Sequence, residues 1–234
     1  LTTAHQKPDM RFDILTLFPE FVSAVLDESI IGRARKAGKL EINTHQIRDW
    51  SEDRHRRVDD TPYGGGKGMV MAAPPLVAAM EAVAAMGDTA NARRIYMSPK
   101  GRLLNQKEAS RLASYDRLII LCGHYEGIDE RVIDLCIDEQ ISIGDYVLTG
   151  GELPACILCD CVGRLCPGVL SDDECHEIES FAGGLLEYPQ YTRPQSFRGL
   201  EVPEVLQNGN HAHIERWRYE KSLELTKKLR PDLL

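Results

Sequence analysis

The run Tyr63-Gly64-Gly65-Gly66-Lys67-Gly68 is the first place in this 234-residue chain where the spacing suggests chemistry. Glycines ahead of a lysine let backbone N–H groups cradle phosphates, but that motif needs a Gly five residues before the second Gly, and a Ser or Thr after the Lys. Position 61 is Thr and Lys67 is followed by Gly68, so nucleoside triphosphate chemistry is not supported. No G-x-G-x-x-G occurs either, which removes a Rossmann-type pocket. Cys156, Cys159, Cys161 and Cys166 invite a zinc reading. All four fall within one predicted helix and its end, and at about 100° per residue Cys161 faces away from the other two. They read as small buried helix residues. His55, His124, His211 and His213 have no ligand spacing among them, and His124 reads as a solvated loop side chain.

Charge narrows the partners. The net charge is −8, which argues against nucleic acid only if the charge is evenly spread. Arg54, His55, Arg56 and Arg57 form a basic knot, and residues 210–234 carry six Lys or Arg against four acids. Residues 125–131 place three acids beside Arg131. A helix start explains them; so does a Glu126 that faces a cationic ligand or holds a pocket's geometry. Arg164 reads as a dipole partner at a helix end, and Glu177 and Glu179 as solvated acids.

These residues need elements to position them. Residues 12–18, 40–47, 94–97, 117–122 and parts of 141–148 read as strands, and residues 20–30, 75–86, 106–114, 130–135, 152–165 and 211–228 as helices. Residues 48–69 read as one long loop, a class that is usually functional when ordered. Strands alternating with helices predict an α/β domain with a mainly parallel sheet, whose ligands sit outside the carboxyl ends of the strands. Residues 96–101, 123–127 and 142–151 leave such ends and converge on one pocket. An acidic stretch near residues 171–178 reads as a linker. Met10 reads as the native start and residues 1–9 as a tail. No stretch of about 18 apolar residues and no signal peptide is visible. Seven cysteines, an odd count, fit a reduced, cytoplasmic setting.

Long blocks then resemble one family. They are residues 53–56, 58–60, 62–66 and 68–69, with Leu17-Phe18-Pro19, Ser98-Pro99, Cys122-Gly123, residues 125–131, 142–148, 150–154 and 167–170, Tyr191-Thr192-Arg193-Pro194, and Gly209-Asn210-His211-Ala212. In this order, and over nearly the whole chain, they resemble the bacterial tRNA (guanine-N1)-methyltransferases, the TrmD family. The resemblance implies the SPOUT fold, a mainly parallel α/β sheet with a deep trefoil knot, over residues 10–170. A linker at 171–178 and a small helical tRNA-binding domain over 179–234 complete the chain. It also implies S-adenosylmethionine as methyl donor, tRNA as substrate with guanine 37 as target, and an obligate homodimer with shared active sites.

Residue by residue, the implied donor site is Tyr96, Met97, Ser98 and Pro99; Gly123, Tyr125, Glu126 and Gly127; and Ile143, Gly144, Tyr146, Leu148, Gly150, Gly151 and Pro154. Arg54, His55 and Arg56 are expected on the RNA, and Asp59 or Asp60 at the target base. Guanine N1 carries a proton and is a poor nucleophile until a carboxylate removes it. An arginine can stabilise the charge that builds on O6. The family's arginine matches Arg164. Its base, an Asp before Ser-Phe, matches Glu179 before Ser180-Phe181, one methylene longer, with Glu177 as the alternative. The family's Mg²⁺ finds no ligand set in the sequence. An RNA-binding protein that keeps the fold without turnover is the rival reading, supported only by this Glu-for-Asp difference.

Overall fold

The computed structural model describes residues 10–171, 179–181 and 183–234. The expected tail, the linker beyond residue 171 and Glu177 lie outside the described residues. The chain divides into two compact units, Leu1–Asp173 and Glu174–Leu234.

The first unit runs β1 (Met10–Thr16), α1 (Pro19–Leu26), α2 (Ser29–Lys36), β2 (Leu40–Gln46), a 3-10 turn (Ile47–Trp50), β3 (Asp59–Asp60), β4 (Val70–Met71), α3 (Ala73–Ala85), β5 (Ala92–Leu103), α4 (Gln106–Leu112), β6 (Arg117–Cys122), α5 (Glu130–Cys136), β7 (Glu139–Ser142) and α6 (Glu152–Gly163). The main sheet has the order β2-β1-β6-β5-β7, with every pairing parallel. This is the α/β, parallel class that the alternation predicts. Strand β6 is buried at all six positions, as expected for a central strand covered on both faces. Phe12, Ile14, Leu118 and Ile120 pack with Leu26, Leu112, Leu158 and Val162 on one face. Leu15, Ile119 and Leu121 pack with Leu76, Met80, Val83 and Val132 on the other. Each such fully buried side chain contributes about 1.5–3 kcal/mol. No helix among the described residues is long and apolar enough to cross a membrane.

Asp13 sits inside this frame with no exposed surface. Its carboxylate accepts from Arg117 Nε at 2.7 Å, Arg11 Nε at 2.7 Å and His45 Nε2 at 2.8 Å. Arg117, 3% exposed, also donates to the carbonyls of Val83 at 2.6 Å and Ala84 at 3.1 Å. Three strands and one helix are thereby tied by a single buried charge cluster.

Two expectations change. The helix predicted over residues 20–30 is two helices, because Glu28 is extended and Ser29 takes a left-handed φ of 55°. An Arg35–Asp27 ion pair holds the second helix back against the first. Residues 98–101, expected as a loop after a short strand, lie within the longer β5. Met97 and Arg102 both pair with Ile141, so the residues between them bulge out before the ladder resumes. The cysteines follow the packing reading: Cys156, Cys159 and Cys166 are buried and Cys161 is half-buried, all with free thiols. Burial, then the charge of Glu152, pushes the Cys156 thiol up to about 11.

The second unit is less helical than expected. It holds the hairpin β8 (Ser196–Phe197) and β9 (Leu200–Glu201), and the long helix α7 (His211–Leu229). Asn210 caps α7 by accepting from the His213 N–H at 3.3 Å. Leu186 N–H donates to Thr226 Oγ1 at 2.9 Å, which anchors the preceding chain on the helix.

Candidate functional site

At the carboxyl ends of β5, β6 and β7 the chain encloses a cavity of about 230 Å³. Its walls are the bulge of β5, the turn after β6 and the long connection from β7 to α6. Gly151 N–H donates to the Gly123 carbonyl at 2.9 Å, and His124 bridges to Gly150, so two walls are sewn together. Ser142 Oγ both donates to the Gly144 carbonyl at 3.1 Å and accepts from the Gly144 N–H at 3.2 Å, which fixes the third. Tyr96 is 7% exposed, and burial, then the charges of Glu130 and Cys122, push its hydroxyl up to about 12. It therefore keeps its proton.

All fifteen residues that the sequence assigns to a donor site line this one cavity. His124 and Thr149, which fall in the expected pocket loops, line it too, whereas sequence reasoning missed Glu130 and Gln140. Gln140 Oε1 is buried and has no hydrogen-bond partner among the described residues. Following Asp138 and Glu139, it read as one more polar residue ahead of the strand. His124 departs from its solvated reading: its Nε2 lies 3.1 Å from Glu152 Oε2, and its side chain is 19% exposed. The acid in the first turn of α6 was the available signal.

The long loop is more structured than expected. Its base is a two-strand ladder, with Asp59 opposite Met71 and Asp60 opposite Val70. Met71 N–H donates to Gly127 O at 2.9 Å, Glu126 N–H to Met69 O at 3.0 Å and Asp129 N–H to Met71 O at 2.9 Å. The loop is thus zipped directly onto the turn that carries Glu126. Arg54, His55 and Arg56 are exposed, and Asp59 is half-buried. Arg56 pairs with Asp49 at 3.1 Å, whereas Arg57 is tied to Asp53 at 2.9 Å. Bonds from the Arg57 side chain, then from the His55 and Arg57 N–H groups, hold the Asp53 carboxyl well below the usual range.

Arg164 caps the end of α6, where its N–H donates to the Asp160 carbonyl at 3.1 Å. Glu179 is half-buried in the second unit. Among the described residues no group of three or more His, Cys, Asp or Glu could hold a metal ion.

The model of the family described as tRNA (Guanine-1)-methyltransferase TrmD matches residues 10–234. The chain belongs to that family. It is 57% identical over 224 residues to a tRNA (guanine-N(1)-)-methyltransferase of Ruminiclostridium cellulolyticum, covering 96% of each chain. It is 58% identical to one of Geobacter sulfurreducens, covering 96% of this chain and 91% of that protein. A third, of Clostridioides difficile, is 52% identical over 96% of this chain and 97% of the relative. TrmD membership makes this a tRNA-modifying methyltransferase and implies S-adenosylmethionine as donor.

The zipped loop yields a prediction for this TrmD site. Gly68 has a φ of +86°, and a Cβ there would stand 2.6 Å from Glu126 Oε1 and 2.7 Å from Glu126 Cγ. Gly68→Ala both strains the backbone and displaces Glu126 from the cavity wall. Calorimetric titration with S-adenosylmethionine should show affinity falling roughly tenfold, about 1.4 kcal/mol. Unchanged affinity would mean that Glu126 is not needed where it stands.

Proposed function

We propose that the chain transfers the methyl group of S-adenosylmethionine to N1 of guanine 37 of tRNA, and that the cavity at the carboxyl ends of β5, β6 and β7 is the donor site. The observation that carries this is the convergence of the three chain segments on one cavity. The fit rests on two features of its wall. Gln140 Oε1 is an acceptor waiting for a donor, and Glu126 and Glu130 supply negative charge for a cationic ligand. When bound, the sulfonium supplies an already activated methyl group. The protein's work is then to hold the partners in line, exclude water and remove one proton.

In this reading Glu179 takes the N1 proton and Arg164 steadies the charge on O6. Arg54, His55, Arg56 and Asp59 position the RNA. Residues 10–170 form the catalytic domain with its trefoil knot, 171–178 a linker and 179–234 the tRNA-gripping domain. The enzyme works in the cytoplasm as a homodimer. Exposed Phe21 and Val25 on α1, with Leu153 and Ile157 on the adjacent α6, offer apolar surface for a second copy. The described residues do not fit a protein-held Mg²⁺, and no step is assigned to one.

The test is mass spectrometry of tRNA nucleosides after incubation with enzyme and donor. 1-Methylguanosine at position 37 is expected, and its absence overturns the reading. Arg164→Ala should lower turnover about 10²- to 10³-fold while donor affinity stays within threefold. A loss confined to donor affinity would remove Arg164 from this role.

A further inference from the structure

A chain of buried hydrogen bonds leads from the end of β1 to the cavity. Phe18 N–H donates to Thr16 Oγ1 at 2.9 Å, and Thr16 Oγ1 donates to Glu152 Oε1 at 2.7 Å. The other carboxylate oxygen, Glu152 Oε2, faces His124 Nε2 at 3.1 Å. Thr16 is fully buried, and Glu152 is 5% exposed at the first position of α6. The imidazole is also wedged between rings, 5.1 Å from Phe18 and 5.9 Å from Tyr125. A Cβ on Gly150 would reach 2.2 Å from His124 Nε2 and 2.5 Å from Glu152 Oε2, so only glycine leaves room for the pair.

This order of donors fixes a tautomer. A Glu152 carboxylate is acceptor-only, so His124 must carry its proton on Nε2. In the neutral ring Nδ1 is then a lone-pair acceptor, and no described residue bonds to it. A ring held this firmly on a cavity wall, with one acceptor open, is built to receive a specific donor.

We propose that His124 is a specificity-determining residue of the methyl-transfer site: its Nδ1 accepts a hydrogen bond from the exocyclic amino group of the target guanine, and Glu152 is the positioning residue that sets the tautomer. The inference rests on the proposed reaction and deepens it by naming how the base is read. Guanine offers two N–H groups on one edge, N1–H and N2–H. The N1 proton must be removed, so the N2 amine is the group left for recognition. Inosine has the same edge without that amine.

The test uses the full-length enzyme and two tRNAs that differ only in guanine or inosine at the target position. Wild type should prefer guanine about tenfold or more in kcat/KM, the worth of one good hydrogen bond. His124→Ala should bring that preference close to one. Glu152→Gln can donate its amide to Nε2 and so place the imidazole proton on Nδ1, facing the amine. It should lower kcat/KM on the guanine tRNA about tenfold while donor affinity stays within threefold. Thermal melts of both variants establish that they fold, and His124→Ala carries the test if Glu152→Gln does not. A preference for guanine unchanged in His124→Ala, or a loss of donor affinity in its place, overturns the inference. A wild type that methylates neither tRNA instead overturns the proposed reaction itself.

Discussion

Glu179→Gln should lower the single-turnover methylation rate by about 10²- to 10⁴-fold, the usual contribution of a positioned general base. Gln keeps the size and hydrogen-bonding reach of Glu but cannot accept the N1 proton. Donor affinity and tRNA affinity should therefore be nearly unchanged, and the loss should lie in the chemical step. The residual rate should climb with pH as bulk hydroxide takes over proton removal. Glu179→Asp restores a carboxylate of the family's own length and should retain substantial activity. A near-normal rate in Glu179→Gln would move the base elsewhere, with Glu177 the next acid to replace. The contrast with Arg164→Ala is informative: raising the pH should not rescue that variant, because the missing group stabilises charge and moves no proton.

Asp13→Asn should cost about 3–5 kcal/mol of folding stability, the usual result of breaking a buried ion pair from one side. Arg117 would keep the Val83 and Ala84 carbonyls but lose the Asp13 carboxylate that accepts from its Nε. The same cluster predicts a pH dependence. Burial alone would raise the Asp13 pKa, but the bonds from His45, Arg11 and Arg117 outweigh it and hold it well below the ordinary value of 3.8. A depressed native pKa stabilises the fold above the unfolded value and loses that contribution as pH falls through the native one. Wild type should therefore lose stability as pH drops below about 4, while Asp13→Asn shows a shallower slope there. Thermal unfolding of both proteins from pH 7 downward measures this. A parallel pair of curves would assign the acid sensitivity to other carboxylates.

The two buried clusters show what a sequence can and cannot disclose. Residues 117–122 form an uninterrupted apolar run after Arg117, and β6 begins and ends as read. Arg11 and Asp13 alternate with apolar neighbours, which is also the pattern of a solvated strand face. Only the arrival of Arg117 and His45 from distant strands makes that face an interior one. The segments that line the cavity were legible because Gly and Pro punctuate the chain after strands. The β5 bulge was not, because Ser98-Pro99-Lys100-Gly101 looks the same whether a strand ends there or merely steps around it. Glu152 only opens the helix read over residues 152–165, and its link to His124 depends on a Gly150-Gly151 turn folding over the β6 end. The one missing side chain at Gly150 matters more to that link than any residue present.

The parallel order of the sheet bears on how the protein is made. Residues 11–15 of β1 lie against residues 117–121 of β6, so β1 waits about a hundred residues for its inner neighbour. At roughly 5–20 residues per second, the ribosome leaves that apolar segment without its partner for some 5–20 s. Until then only β2 is available to cover one edge of it. Of the elements made in that interval, α1 and α2 are the first that can cover its face.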